Sequence, residues 1–235
     1  MLVMTNFLSR AAWFRVIPFV LFMALLAVRG QFTPASPEEA PGAFDGRWVY
    51  AITVVLVSGC LWAFRKHYTE LRAPSAPRLT WPHALLAIVV GLVVFKLWIS
   101  LTAPWMMLGE PTAGFRPVNA EGELMWGLIV ARWVGAALMV PVMEELFWRG
   151  FLMRWVDKPE FEAVDPGTVS LKAIALSTLV FMLAHTLWLG AIVAGLAYAL
   201  LYRYTRSLWA AILAHAVTNG VLGVWVVLYG YWEFW

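Results

Sequence analysis

The sequence predicts an all-α, polytopic integral membrane protein, and three properties of the chain lead to this fold class. Of its 235 residues, 62% are hydrophobic and only 13% are charged, whereas soluble domains carry about 25% charged residues. The mean hydropathy is +0.75. Several apolar runs reach the ~17–25 residues that a helix needs to cross a bilayer. A soluble enzyme, a disordered tail and a disulfide scaffold are therefore excluded.

The apolar runs predict about seven transmembrane helices in a single integral membrane domain that covers residues 1–235. The loops between them are rich in proline, and many tryptophans lie near the ends of the runs, as in an interfacial aromatic belt. We place the motif-bearing core at residues 124–229. The predicted spans are Ala11–Val28, Trp48–Phe64, Ala84–Thr102, Leu124–Phe151, Ala173–Leu187, Leu189–Tyr202 and Leu208–Tyr229.

The distribution of Lys and Arg predicts the orientation of these spans. With the N-terminus inside, ten of the 17 Lys and Arg residues fall in inside segments, three fall in outside segments and four lie within spans. Because cytoplasmic loops carry an excess of Lys and Arg, we expect a cytoplasmic N-terminus. The net charge of +3 is explained by these loops, so we expect a lipid bilayer and no nucleic acid as the partner. The sequence leaves the oligomeric state open.

Two consecutive acidic residues interrupt the fourth run, although ionisable side chains at bilayer depth cost several kcal/mol unless they are paired or hydrated. Glu145 and Arg149 are four residues apart, so they share a helix face and can form a salt bridge. A purely structural ion pair is the alternative interpretation of these two residues. Glu144 points about 100° away from the pair and is left without that partner. Glu144 is therefore the stronger candidate for a functional residue.

Two further spans carry polar residues at a similar depth. The fifth contains Phe181 and His185, and the seventh contains His215 and Asn219 on one face. Counting 1.5 Å per residue from the basic residue that ends its span places Glu144 about 15 Å deep. The same count places His185 and Asn219 about 20 Å deep and His215 about 14 Å deep. Three spans counted independently thus predict that these four side chains meet.

This set of side chains is suited to hydrolysis by an activated water. A glutamate in a low-dielectric site can accept and return a proton near neutrality, and a neighbouring histidine can orient the same water. A second histidine with an asparagine one turn away supplies donors for an oxyanion. No serine or cysteine is obviously placed as a nucleophile beside them. The residues therefore predict peptide-bond hydrolysis inside the membrane.

Three motifs in this region resemble those of the CPBP intramembrane endopeptidases, which include type II CAAX prenyl endopeptidases and Abi proteins. The motifs are Glu-Glu-x-x-x-Arg, Phe-x-x-x-His and His-x-x-x-Asn, they occur in this order on separate spans, and they cover about Val142–Gly220. Their surroundings are similar to a bacterial subgroup named CAAX protease-related and associated with exosortase systems. In this sequence the motif residues are Glu144, Glu145 and Arg149, then Phe181 and His185, then His215 and Asn219.

The resemblance implies a role for each motif residue. Glu144 is the base that activates water and His185 assists it, while His215 and Asn219 form the oxyanion hole. Glu145 and Arg149 support the site. The family is described as glutamic proteases, so no metal and no other cofactor is expected. The expected substrate is a membrane-embedded or lipidated protein segment near the cytoplasmic leaflet, either prenylated and CAAX-like or a membrane-anchored helix, and the expected location is a bacterial inner membrane.

Three alternatives stay open at this point. Glu144, His185 and His215 are a possible ligand set for a zinc-dependent intramembrane protease, although a helical HExxH motif is absent. The chain is alternatively a non-catalytic membrane chaperone, immunity protein or scaffold that uses the polar cluster for binding. A proton-coupled transporter is the third alternative, but the seven spans show no internal repeat of the kind that transporters often have.

Two further charges lie within the predicted spans. Lys96 and Arg132 are both in the outer halves of their spans. Long basic side chains in such positions can reach towards the interface or pair with nearby acidic groups. We expect both residues to have structural roles, with Glu110, Glu121 and Glu123 as the available partners.

Overall fold

A computed structural model describes residues 8–29, 44–72, 76–109 and 115–235 of the protein. These residues form seven helices, joined by short 3₁₀ turns and loops, and no β-sheet occurs among them. The predicted all-α fold class is thereby confirmed. The helices are α1 (Arg10–Arg29), α2 (Trp48–Phe64), α3 (Trp81–Trp98), α4 (Trp126–Asp157), α5 (Leu171–Leu183), α6 (Trp188–Thr205) and α7 (Leu208–Tyr229).

Five of the described helices are long and apolar enough to cross a membrane, namely α1, α2, α3, α4 and α7. Helix α5 has 13 residues, which corresponds to a length of about 20 Å and falls short of the ~30 Å hydrocarbon core. The predicted fifth span, Ala173–Leu187, is therefore wrong at its end, because residues 184–187 form the turn into α6.

Helix α4 is continuous over 32 residues, but two π-helical segments interrupt its α-helical hydrogen-bond pattern. Two segments are π-helical, Gly135–Met139 and Leu146–Leu152, and a single α-helical stretch, Val140–Glu145, separates them. In the first segment the amide of Val140 donates to the carbonyl of Gly135, five residues back. Pro141 comes next and has no N–H to donate, so the carbonyl of Ala136 receives no donor in this register. Such π-bulges occur frequently at functional sites.

Arg15, which lies within the predicted first span, is held by a buried ion-pair network. Its Nε lies 2.7 Å from Oε1 of Glu70, in the connection between α2 and α3. Glu70 also lies 3.7 Å from Nη1 of Arg154 at the end of α4. Arg15 itself is only 1% exposed. Because a buried cation needs a counter-charge, this network fixes α1 against the rest of the bundle.

Two apolar clusters meet in the middle of the bundle. The larger draws buried side chains from α3, α4, α5, α6 and α7, and the smaller draws them from α1, α2 and α4. Helix α7 packs extensively against both α3 and α4. Its contact with α3 is particularly tight. The closest approach of α3 and α7 is at Gly91, where a Cβ atom would collide with the carbonyl of Ala214 and the side chain of Val217. The hydroxyl of Thr218 donates to the Gly91 carbonyl at 2.9 Å, which sets the height of α7 relative to α3.

Candidate active site

The four residues that the sequence predicts as catalytic line one cavity, with a volume of about 330 Å³, where the two apolar clusters meet. Glu144 comes from α4, and His215 and Asn219 come from α7. His185 comes from the turn between α5 and α6. The rest of the lining is mostly apolar and aromatic. The predicted meeting of these four side chains, drawn from three separate parts of the chain, is thus present in the structure.

Glu144 places an unpaired carboxylate in this cavity. Its side chain is buried, with 9% of the residue exposed. No described residue donates a hydrogen bond to Oε2 of Glu144, and no described cation lies within ion-pair distance of this carboxylate. A buried carboxylate oxygen without a donor is unusual. The Glu144 carboxylate is therefore available to a group inside the cavity.

His185 presents one ring nitrogen to the cavity in a defined state. Its Nδ1 lies 2.8 Å from the carbonyl oxygen of Phe181. A carbonyl can only accept, so Nδ1 carries the proton, and in the neutral ring Nε2 has a free lone pair. The ring also packs against the indole of Trp98, with centroids 5.7 Å apart. The sequence placed His185 within the fifth span, but the helix ends two residues earlier. The Phe181 carbonyl, which also accepts from the Ala184 amide at 3.2 Å, orients the ring.

Glu145 occupies the other side of α4 and does not line the cavity. Its carboxylate is completely buried, and Oε1 accepts from Nη1 of Arg149 at 3.0 Å and from Nδ1 of His215 at 2.9 Å. Arg149 also donates to the carbonyl of Gly195 in α6 at 3.1 Å. The predicted i,i+4 pair is present, and it forms part of a larger network that connects α4, α6 and α7. This network holds His215 rather than Glu144.

The bond to Glu145 determines which nitrogen of His215 is available. Because an ionised carboxylate only accepts, Nδ1 of His215 carries a proton. Nε2 carries a second proton only when the ring is an imidazolium. The ring stacks on Tyr198 at a centroid distance of 5.0 Å, and the Tyr198 hydroxyl donates to Thr218 at 2.8 Å. His215 is therefore rigidly held by groups on three helices.

Asn219 is fixed by the carbonyl that Pro141 leaves without a donor. Its Nδ2 lies 2.9 Å from the oxygen of Ala136, in the first π-helical segment. Since that oxygen can only accept, Nδ2 must face it, and one of the two Nδ2 hydrogens remains for a group in the cavity. The indole of Trp133 donates to the carbonyl of Gly220 at 2.9 Å, which adds a second link between α4 and α7. The Asn219 amide is thus preorganised before any ligand binds.

The same region of the chain matches a known family. A family model described as type II CAAX prenyl endopeptidase Rce1-like matches residues 126–221. Over this region, which is less than half of the chain, the protein is similar to the Rce1-like family. No curated protein and no solved structure matches the chain. The match supports a CAAX-type intramembrane protease, in agreement with the resemblance that the three motifs showed.

The Rce1-like match contains all six residues predicted from the sequence, from Glu144 to Asn219, and it spans α4 to most of α7. Helices α1, α2 and α3 lie outside the match, although α1 and α2 contribute apolar side chains to the cavity wall and α3 contributes Trp98. The predicted catalytic groups thus come from the Rce1-like region, and the preceding helices contribute another part of the cavity wall.

The donor set of the zinc alternative does not assemble in the Rce1-like region. Among the described residues, no group of three or more His, Cys, Asp and Glu side chains is arranged to hold a metal ion. The geometry therefore gives no support to the proposed ligand set of Glu144, His185 and His215.

A second and larger cavity, with a volume of about 880 Å³, adjoins the first. The two share part of their walls, including Trp98, His185 and Arg132. Its other lining residues follow the ends of α3 and α7, at the opposite end of the bundle from the basic connections. The site therefore widens towards the end of the bundle that the charge distribution places outside. The sequence predicts instead that the substrate lies near the cytoplasmic leaflet, and this location stays a prediction.

Arg132 is a residue of this site that the sequence analysis assigned a structural role. No ion pair joins its guanidinium to Glu121 or Glu123, and Glu110 lies outside the described residues. The guanidinium instead lies over the rings of Tyr50 and Phe115, at 4.3 Å and 5.4 Å. A charged residue within a predicted span is the one sequence feature that marks Arg132 as a candidate site residue. The sequence alone did not show that its side chain lines the cavity.

Proposed function

We propose that this protein is a glutamate-dependent intramembrane endopeptidase in which Glu144 activates the water that hydrolyses a peptide bond. The observation that supports this proposal best is the composition of the shared cavity. It combines the Glu144 carboxylate, which has no described partner, with the His185 imidazole, whose Nε2 is free. The His215 imidazole and the Asn219 amide also line it, and each is held by a hydrogen bond to α4. Each group is suited to a different step of acyl transfer to water.

In the first step, Glu144 accepts a proton from a water molecule as the water oxygen attacks the peptide carbonyl carbon. Nε2 of His185 accepts a hydrogen bond from the second hydrogen of this water, since Nδ1 is committed to the Phe181 carbonyl. Two acceptors therefore orient the lone pair of the water towards the substrate. General-base assistance of this kind contributes about 10²–10⁴ in rate.

In the second step, the attacked carbonyl becomes an oxyanion that needs hydrogen-bond donors. The free N–H of Asn219 Nδ2 supplies one donor, and Nε2–H of the His215 imidazolium supplies the other. The C–N bond then breaks, and the leaving amine takes the proton that Glu144 received. The products are a new carboxyl terminus and a free amine, and Glu144 returns to its ionised form.

The substrate class follows from the position of the site among apolar helices. We propose a membrane-embedded or lipidated protein segment, prenylated and CAAX-like or a membrane-anchored helix, as the substrate. The site residues lie near the middle of α4 and α7, and the cavity wall is largely apolar, so an apolar segment can be desolvated there. We further propose a cytoplasmic N-terminus, which the excess of Lys and Arg in the inside segments supports. The resemblance to the bacterial CAAX protease-related subgroup supports a bacterial inner membrane as the location.

The decisive experiment compares the protein with its Glu144→Gln variant in the same membranes. Gln keeps the shape of Glu but cannot accept a proton, so we expect substrate fragments to disappear and uncut substrate to accumulate, as measured by mass spectrometry of membrane peptides. Glu121→Gln is the matched control, because Glu121 is exposed and far from the cavity lining. Full cleavage by a folded Glu144→Gln or Glu144→Ala protein would end the assignment.

The purified protein separates the proposal from its two main alternatives. Cleavage of an identified peptide that survives strong chelation and a metal-free preparation supports the glutamate mechanism. Activity that is lost on chelation and restored by zinc contradicts it. Stoichiometric binding of the peptide without any product favours a scaffold. Thermal unfolding of each preparation verifies that the protein is folded.

A further inference from the structure

Arg132 is half-buried and differs from the buried arginines of the described part of the chain. Those three have a carboxylate within 4.0 Å: Arg15 pairs with Glu70, Arg149 with Glu145, and Arg154 with Glu70. No described carboxylate lies within that distance of Arg132, and its buried Nε makes no hydrogen bond with a described residue. Arg132 also lines both cavities. The structure therefore places a cation that no described carboxylate neutralises in the wall that the two cavities share.

The surroundings of Arg132 leave the edge of its guanidinium available. Its central carbon lies over the rings of Tyr50 and Phe115, at 4.3 Å and 5.4 Å from their centroids. The N–H groups lie in the plane of the guanidinium and form a fork that fits both oxygens of a carboxylate. The two rings contribute cation–π attraction but no hydrogen-bond acceptor of the strength of a carboxylate. Glu233 also lines the larger cavity, but it is exposed and makes no ion pair with Arg132.

The separation of Arg132 from Glu144 fits an extended peptide. Both residues are on α4, twelve positions apart, which corresponds to at most about 18 Å along the helix axis. An extended chain spans about 3.3–3.6 Å per residue, so about five residues cover this distance. The shared wall of the two cavities provides a continuous path between the two side chains. A group bound by Arg132 would therefore lie within about five residues of a peptide bond held beside Glu144.

We propose that Arg132 binds a carboxylate of the substrate and thereby positions the scissile bond next to Glu144. This inference rests on the proposed function. The carboxylate has two possible sources, the free C-terminus of the substrate and an acidic side chain close to the cleavage position. Both offer the same pair of oxygens to the guanidinium fork. Binding also supplies Arg132 with a counter-charge that none of the described carboxylates provides within ion-pair distance.

The test measures binding rather than turnover. The full chain carrying Glu144→Gln, in detergent or nanodiscs, is titrated with three fluorescent apolar peptides of the same length. One has a free C-terminal carboxylate, one has a C-terminal amide, and one has the amide and a glutamate side chain near its end. A charge-assisted hydrogen bond supports an expected affinity about 10- to 100-fold higher for a carboxylate peptide than for the plain amide.

Variants then assign any preference to Arg132. We expect Arg132→Gln to abolish the preference and Arg132→Lys to retain part of it, since a lysine keeps the charge but loses the fork. Arg116→Gln removes the same charge from an exposed position near the same end of α4, so it should keep the full preference. Thermal unfolding identifies any variant that does not fold, and the comparison of peptides on the Arg132-containing protein stands without the variants.

The outcomes separate this proposal from the proposed function. Tight binding of the free acid alone assigns the C-terminus, and tight binding of the glutamate peptide assigns a side chain. Equal affinities for acid and amide, or no binding of either acid, would overturn the role of Arg132 even if Glu144-dependent cleavage is observed. If the protein prefers the carboxylate peptides through Arg132 but cleaves no peptide, the proposed binding site stands and only the proposed protease activity is refuted.

Discussion

Replacing Pro141 by alanine tests whether the unusual winding of α4 serves to position Asn219. Pro141 supplies no N–H, so the Ala136 carbonyl accepts from Asn219 at 2.9 Å instead of from its own helix. Alanine restores the missing N–H and offers that carbonyl a donor within α4. Asn219 then competes with the backbone for the same oxygen, and its amide loses its fixed orientation. We expect slower catalysis from a protein that is no less stable.

The size of the effect follows from the single hydrogen bond that is changed. An intramolecular hydrogen bond contributes about 0.5–1.5 kcal/mol net, and about 1.36 kcal/mol of barrier corresponds to a tenfold change in rate. The Pro141→Ala variant should therefore lose about 2- to 13-fold in kcat. Asn219→Ala removes the oxyanion donor itself and should lose about 10²–10³ in kcat, as for other oxyanion donors. It also leaves the Ala136 carbonyl without a partner, which costs about 1–3 kcal/mol of stability.

The assay is a double-mutant cycle with one peptide substrate and four proteins, namely the unmodified chain, the two single variants and the double variant. If Pro141 acts through Asn219, the loss caused by Pro141→Ala disappears once Asn219 is alanine, so the effects are not additive. In the double variant the restored backbone donor should also recover part of the stability that Asn219→Ala loses. Fully additive losses in kcat, or a Pro141→Ala protein with unchanged kcat, would refute the coupling.

Three further substitutions test the rest of the architecture. Glu145→Gln removes the anion beside the His215 ring and leaves the buried Arg149 without its counter-charge. We expect the free energy of unfolding to fall by about 3–5 kcal/mol and kcat to fall as well. Thermal unfolding and peptide cleavage measure the two effects. Glu70→Gln should lower stability by a similar amount through Arg15 but leave kcat of the folded protein unchanged. A changed kcat would show that this network reaches the site. Gly91→Ala places a methyl group against the backbone of α7 and should cost about 1–3 kcal/mol, and it should lower kcat because α7 carries two site residues. Full activity would refute that packing constraint.

The meeting of the site residues could be predicted because helices have a regular rise. Counting from the basic end of each span needed no tertiary information, and it brought Glu144, His185, His215 and Asn219 to one depth. The pair of Glu145 and Arg149 followed from their spacing alone. The number of helices followed from apolar length. These features depend on local periodicity, which the sequence expresses directly.

Other features of the site depend on departures from that periodicity. The π-helical segments change the rotation per residue, so the direction of Arg132 relative to Glu144 could not be obtained from a 100° wheel. The end of α5 before His185 leaves this residue in a turn, and no proline or glycine marks that end in the sequence. The partner of Arg15 is Glu70, 55 residues away in the chain. Such contacts are set by tertiary packing.

The two histidines show how similar side chains acquire opposite tasks in one cavity. Both are held through Nδ1, so both present Nε2, but the acceptors behind them differ. The acceptor of His185 is the neutral carbonyl of Phe181, which allows an uncharged ring with a lone pair on Nε2. The acceptor of His215 is the carboxylate of Glu145, which stabilises an imidazolium with a proton on Nε2. One ring is thereby suited to receive a hydrogen bond from water and the other to donate one to an oxyanion, so the acceptor behind each ring decides its part in the reaction.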